Sequence, residues 1–187
     1  MDSSLRDIKS KKFLGLKNFG ATCYLNSLFQ QMYMIPTFKK DIFDFNIIED
    51  KENYKKEELD ESTLYNMQIS FANLQKSIMA YYPPISFIKS FKKVFNGEPI
   101  HLGVQQDTDE FLAILCDKIE KEAKKFGKEN FLENSFRGKI TNEIVSLEKE
   151  YPYYSQTEEP FYSITLDIKG HKNLEDALDA YVKGEVE

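Results

Sequence analysis

The residues best suited to chemistry are gathered around Cys23. The segment from Gly15 reads GLKNFGATCYLNSLFQQ. Leu25, Leu28, Phe29 and Met32 recur at i, i+3, i+4 and i+7, so a helix is expected to start at Cys23, with Thr22 as its N-cap and Pro36 as its stop. A cysteine in a first turn faces unpaired backbone N–H groups and the positive end of the helix dipole. Both favour the thiolate, which is the reactive form. Gly15 and Gly20 permit tight turns on the approach and let a carbonyl substrate come close. Asn18 lies on that turn, where its side-chain amide can donate to the oxyanion formed when a thiolate adds to a carbonyl. The plainer alternative, a small buried hydrophobe at 23 and a turn residue at 18, is disfavoured by the length of the pattern.

A second cluster starts at Gly103, in GVQQDTDEFLAILCDKIE. Asp107 is a natural N-cap and Glu110 stands three residues on, the spacing of a reciprocal capping box. Taken alone, these acids stabilise a helix start and need no further role. Cys116 falls between Leu112 and Ile119 in helical spacing and reads as packing. The two histidines, His101 in EPIHLGVQQ and His171 in KGHKN, read as surface or turn residues, because a lone histidine is weak evidence of catalysis.

The first segment closely resembles, over seventeen consecutive positions, the cysteine box of the ubiquitin-specific proteases. The resemblance implies Cys23 as nucleophile and Asn18 as oxyanion-hole donor. QQDTDEF is similar to the second signature of that family, Gln-Gln-Asp-x-x-Glu-Phe. There the acidic residues help hold the extended carboxy-terminal tail of ubiquitin, a role carried here onto Asp107 and Glu110. Arginines and backbone N–H groups of such a tail suit carboxylate partners. EEPFYSITLDIKGHKNLEDALDAYVKGE resembles the stretch that follows, and is closest to a branch of large family members. The implied fold is α+β, the papain-like cysteine peptidase architecture, with a helical lobe and the start of a β lobe in an incomplete domain.

Two departures from the family pattern matter. Many relatives carry Cys-x-x-Cys pairs in the β region that bind structural zinc. SLEKEYPYYSQTEE has no cysteine, so no metal and no cofactor are expected. The general base such a peptidase needs is a histidine oriented by Asn or Asp. In the family it lies far downstream in a Gly-His-Tyr-like context, and neither His101 nor His171 has that setting. Three hypotheses follow: a fragment of an active deubiquitinase, a complete but inactive ubiquitin-binding pseudo-enzyme, or a cysteine peptidase of another class. The intact Cys23, Asn18 and Gly20 favour the first over the second, and the second signature argues against the third.

The elements that must position these residues follow from periodicity. Residues 1–12 read as a flexible start and 49–61 as a mixed-charge connection or frayed helix start. Leu64, Met67, Phe71, Leu74 and Ile78 mark a helix ended by Pro83 and Pro84, and Phe87, Ile88, Phe91 and Phe95 a shorter one before Gly97. Residues 107–126 form the clearest helix, acidic at its start, with Lys121, Lys124 and Lys125 at its end and Gly127 closing it. Beyond it, 136–147 read as one or two strands and 151–160 as a loop. Tyr162, Ile164, Leu166 and Ile168 alternate as a strand, and Asn173 caps a last helix with Leu174, Ala177, Leu178 and Tyr181 on one face. The expected organisation is a helical lobe over 13–128 and a β lobe starting at 129.

Composition limits the function classes. With 41% hydrophobic and 30% charged residues the 187-residue chain can build a globular core. Its net charge of −6 disfavours an electrostatic grip on nucleic acid or an anionic membrane. No apolar run approaches a membrane span, and Met1 to Lys12 lacks the apolar centre of a secretory signal. Two cysteines in unrelated contexts make no disulfide framework and suit the cytosol or nucleus.

Overall fold

Hydrophobic periodicity becomes a set of helices around a phenylalanine core. The computed structural model describes residues 13–184 apart from 46, 48–51, 53, 96 and 134, so the expected flexible start and part of the mixed-charge stretch lie outside the described residues. The chain divides into two compact units, Met1–Phe136 and Arg137–Glu187.

The first unit contains β1 (Gly15–Leu16), α1 (Cys23–Met34), α2 (Pro36–Phe43), α3 (Lys56–Glu61), α4 (Thr63–Lys76), β2 (Tyr81–Tyr82), α5 (Ile85–Lys89) and α6 (Thr108–Lys124). Tyr24, Leu25, Phe29 and Met32 form the buried face of α1. Phe29 meets Phe71 of α4 edge-on at 5.0 Å between ring centroids and Phe87 of α5 at 4.5 Å. Phe91 reaches Phe111 of α6 at 5.3 Å. These rings are within 1% of full burial, and truncating one to alanine in such a core costs about 3–5 kcal/mol. The high Phe content of the sequence is therefore spent on the core.

Pro36 acts differently from expectation. It does end α1, but it also occupies the first turn of α2, where its missing N–H removes no hydrogen bond, and α2 buries Phe38 and Ile42. The helix on Leu64 stops at Lys76, before Pro83, because the chain must straighten into β2. This two-residue strand pairs in parallel with β1, Gly15 opposite Tyr81 and Leu16 opposite Tyr82. Ile78, expected on the helix face, is consequently exposed.

Helix α4 is anchored from α6. The Glu122 carboxylate accepts from the Thr63 N–H at 2.7 Å, the Leu64 N–H at 3.0 Å and the Ser62 hydroxyl at 2.8 Å, satisfying first-turn donors of α4 from a residue far away in sequence. Lys118, one turn earlier, donates to the Ser90 carbonyl at 2.9 Å over the Phe91 ring. Its burial lowers the ammonium pKa, against the opposing pull of Glu122 and other nearby acids.

In the second unit, β3 (Gly138–Val145) and β4 (Tyr154–Phe161) form an antiparallel hairpin, with Gly138 opposite Phe161 and Val145 opposite Tyr154. The strand expected over Tyr162–Ile168 is thus found earlier, in the stretch read as a loop. Most hairpin side chains are exposed on both faces, so β4 carries no apolar alternation to reveal it; pairing with β3 alone makes it a strand. Tyr162, Ile164 and Leu166 are half-buried with exposed residues between them, but this stretch forms no strand among the described residues. Helix α7 (Leu174–Tyr181) is capped by Asn173, whose side chain accepts from the Asp176 N–H at 2.8 Å. Of its expected face only Ala177 is buried.

Candidate active site

The loop before α1 is tied down by the polar residues of its own motif. Gln30, two turns into α1, donates to the Leu14 carbonyl at 2.9 Å, and Asn26 donates to the Lys17 carbonyl at 3.2 Å. The incoming strand β1 is held from its other side by hydrogen bonds to residues flanking and within β2. The chain between them reverses at Gly20, whose φ of +112° lies in the region that side chains disfavour. There the Ala21 N–H donates to the Leu102 carbonyl at 2.7 Å, and a Cβ on Gly20 would stand 3.0 Å from that same oxygen. The close approach locks the Cys23 loop against the segment leading into the second motif.

Cys23 opens α1 and is exposed. Its Sγ lies 3.4 Å from Gln105 Oε1, a residue 82 positions away, so the two motifs meet at the thiol. Thr22 stands at the N-cap position of α1, but its side chain makes no cap hydrogen bond. It turns back instead. Its hydroxyl accepts from the Phe19 N–H at 3.1 Å and donates to Asn18 Oδ1 at 3.0 Å, and the Thr22 N–H reaches the same Oδ1 at 3.1 Å. A backbone N–H can only donate, so this pairing sets which end of the Asn18 carboxamide is oxygen. Among the described residues, the Asn18 Nδ2 has no acceptor, and the N–H groups of Cys23, Tyr24 and Leu25 have none either. The N–H donors lie in the first turn of the helix that Cys23 opens, where a helix start can hold an anionic group of a ligand.

Tyr24 packs edge-on to Phe111 at 5.5 Å and is 3% exposed; its hydroxyl is buried and has no hydrogen-bond partner among the described residues. Burial, then charge on Cys23, raises the pKa of this phenol. Cys116 is buried in α6 as expected for packing, and burial pushes its thiol up to about 12.

Asp107 caps α6: one oxygen, Oδ1, accepts from the Asp109 N–H at 2.7 Å and the Glu110 N–H at 3.0 Å. The reciprocal half of the expected capping box is missing, since Glu110 returns no bond to the Asp107 N–H. The other Asp107 oxygen and the whole Glu110 carboxylate are thereby left to face solvent. Gln105 is the residue that sequence reasoning did not single out. It stands in the quoted motif, but nothing local indicates that it reaches Cys23. His101 is exposed and makes no side-chain hydrogen bond among the described residues, and His171 lies in the second unit. Among the described residues no group of three His, Cys, Asp or Glu side chains is placed to hold a metal ion.

The α+β fold, with an exposed thiol at a helix start, is that of the papain-like cysteine peptidase class. The family model described as ubiquitin carboxyl-terminal hydrolase matches residues 14–170. The chain belongs to that family. Among curated relatives, it is 36% identical over 177 residues to mouse ubiquitin carboxyl-terminal hydrolase 24, an alignment covering 95% of this chain and 6% of the relative. Human ubiquitin carboxyl-terminal hydrolase 34 is 35% identical over 174 residues, covering 92% and 4%. Mouse ubiquitin carboxyl-terminal hydrolase 9Y is 32% identical over 213 aligned positions, covering 94% and 8%. The chain thus spans less than a tenth of the length of these relatives.

Proposed function

We propose that this chain carries the nucleophile side of a deubiquitinase site, acting on the bond after the carboxy-terminal glycine of ubiquitin. The observation that carries the reading is the meeting of the two motifs at Cys23, whose thiol lies 3.4 Å from Gln105. The Cys23 thiolate attacks the carbonyl carbon, the carbonyl π pair moves onto oxygen, and the Asn18 Nδ2 and the Cys23 N–H are the donors for that oxyanion. Collapse expels the amine, which takes up a proton, and water later releases the acyl group. Asp107 and Glu110 are the carboxylates for the arginines and N–H groups of the ubiquitin tail. Two free cysteines support work in a reducing compartment, the cytosol or nucleus.

A second reading has its own support: the Cys23 thiol is hydrogen-bonded to the Gln105 carboxamide, which suits a protein that binds ubiquitin without turning it over. A ubiquitin bearing a carboxy-terminal electrophile, incubated with the 187-residue chain and with Cys23→Ser, separates the two. Covalent labelling that Cys23→Ser abolishes supports the nucleophile reading, with weak or absent steady-state hydrolysis expected from these residues alone. Binding without labelling leaves ubiquitin recognition as the function. Neither binding nor labelling refutes both.

A further inference from the structure

We propose that Thr22 is the positioning residue of the oxyanion site: it turns the Asn18 amide toward the reacting carbonyl and, by declining to cap α1, leaves the first-turn N–H groups free. The inference rests on the deubiquitinase reading for its chemistry, but its geometry stands apart from it.

A threonine before a helix ordinarily spends its hydroxyl on an N–H of the first turn. Here Thr22 is at 0% exposure, and its hydroxyl is used twice in the opposite direction, accepting from Phe19 and donating to Asn18. With the Thr22 N–H added, Asn18 Oδ1 receives two donors at 3.0 and 3.1 Å. An exposed asparagine otherwise samples both faces of its amide plane freely. Two convergent donors remove that freedom and leave Nδ2 as the outward end. The same turn leaves the Cys23, Tyr24 and Leu25 N–H groups without acceptors among the described residues. One buried hydroxyl therefore holds the amide donor that an oxyanion would use, and its use there leaves the first-turn N–H groups uncapped. Serine can reproduce every one of these bonds; valine has the same shape but none of the hydroxyl's.

The test has two arms on the 187-residue chain. The first needs no activity: side-chain amide relaxation of Asn18 by NMR. Wild type and Thr22→Ser are expected to show an ordered Nδ2H2 pair, and Thr22→Val a mobile one. A mobile Asn18 amide in the wild type itself overturns the inference, whether or not any variant folds.

The second arm compares two ubiquitin probes. A carboxy-terminal aldehyde adds the Cys23 thiolate at its carbonyl carbon, puts the π pair on oxygen and takes a proton from water, so it passes through an oxyanion. A carboxy-terminal alkyl bromide forms the S–C bond and releases bromide, with no oxyanion. Thr22→Val is expected to slow the aldehyde reaction by about tenfold to a hundredfold, near the loss of one oxyanion donor. The bromide reaction should stay within about twofold, and Thr22→Ser should keep the wild-type aldehyde rate. Equal slowing of both probes, or of neither, refutes the positioning role. Failure of both probes on the wild type refutes the deubiquitinase reading instead, and the amide relaxation then decides the inference by itself.

Discussion

Gly20→Ala tests whether the loop that presents Cys23 is held by the close approach of two backbones. At φ +112° an alanine is strained by about 1–2 kcal/mol relative to glycine. Its Cβ would also stand 3.0 Å from the Leu102 oxygen, which cannot retreat without lengthening the 2.7 Å bond from the Ala21 N–H. Crowding against fixed backbone adds about 1 kcal/mol or more. The loss of unfolded-chain entropy on replacing glycine returns about 0.4–1 kcal/mol. The net expectation is a destabilisation of about 2 kcal/mol, roughly a thirtyfold fall in the folded-to-unfolded ratio. Gly103→Ala is the control, because a Cβ there meets nothing within 4 Å and its φ is not in the positive range. It should leave stability unchanged or raise it by up to about 1 kcal/mol. Urea unfolding at equilibrium gives both free energies, and the rate of Cys23 modification by a small alkylating reagent reports whether the thiol has moved relative to Gln105. If Gly20→Ala unfolds at the same urea concentration as Gly103→Ala and alkylates at the wild-type rate, the loop is not held by this contact and the reasoning fails.

Four further outcomes are expected. In the native chain at pH 8, one thiol should react promptly with a disulfide reagent and the second only on unfolding. Cys23 is exposed, whereas a thiol raised to about 12 is thiolate in only about one molecule in ten thousand. By the same shift the folded state holds the Cys116 proton more tightly than the unfolded state. That contribution to stability is complete below the ordinary value of 9.0 and is lost as pH rises toward about 12; unfolding curves of Cys116→Ala should lack this alkaline slope. Glu122→Gln, which removes the charge from three hydrogen bonds at the start of α4, should cost about 2–3 kcal/mol in urea unfolding and speed amide exchange at Thr63 and Leu64; unchanged exchange there would contradict the anchoring role. Asp107→Asn keeps a cap and should change stability by less than about 0.5 kcal/mol while weakening ubiquitin binding, whereas Asp107→Ala should lose about 1 kcal/mol as well. Equal ubiquitin affinity in Asp107→Asn and wild type, measured calorimetrically, would remove the tail-binding role.

What the sequence by itself determined is local. The start of α1 at Cys23, the cap at Asp107, the cap at Asn173 and the buried faces of α4 and α6 depend on contacts within a few residues, and such contacts leave a period or a spacing. The cysteine motif is long because its polar members hold the stretch together locally: Thr22 bonds Asn18, Asn26 the Lys17 carbonyl and Gln30 the Leu14 carbonyl. Tertiary structure decided the rest. Whether Thr22 caps the helix or turns back on Asn18 is a choice between two local bonds that spacing cannot rank. It is resolved where the loop is locked to Leu102 and the residue is buried. Likewise β4 is a strand only because β3 lies beside it, and two-residue β1 only because β2 does; hydrogen-bond ladders join residues with no periodic signature. The contact of Gln105 with Cys23 belongs to the same kind. It spans 82 residues, and only packing of the two segments around Gly20 brings the carboxamide to the thiol.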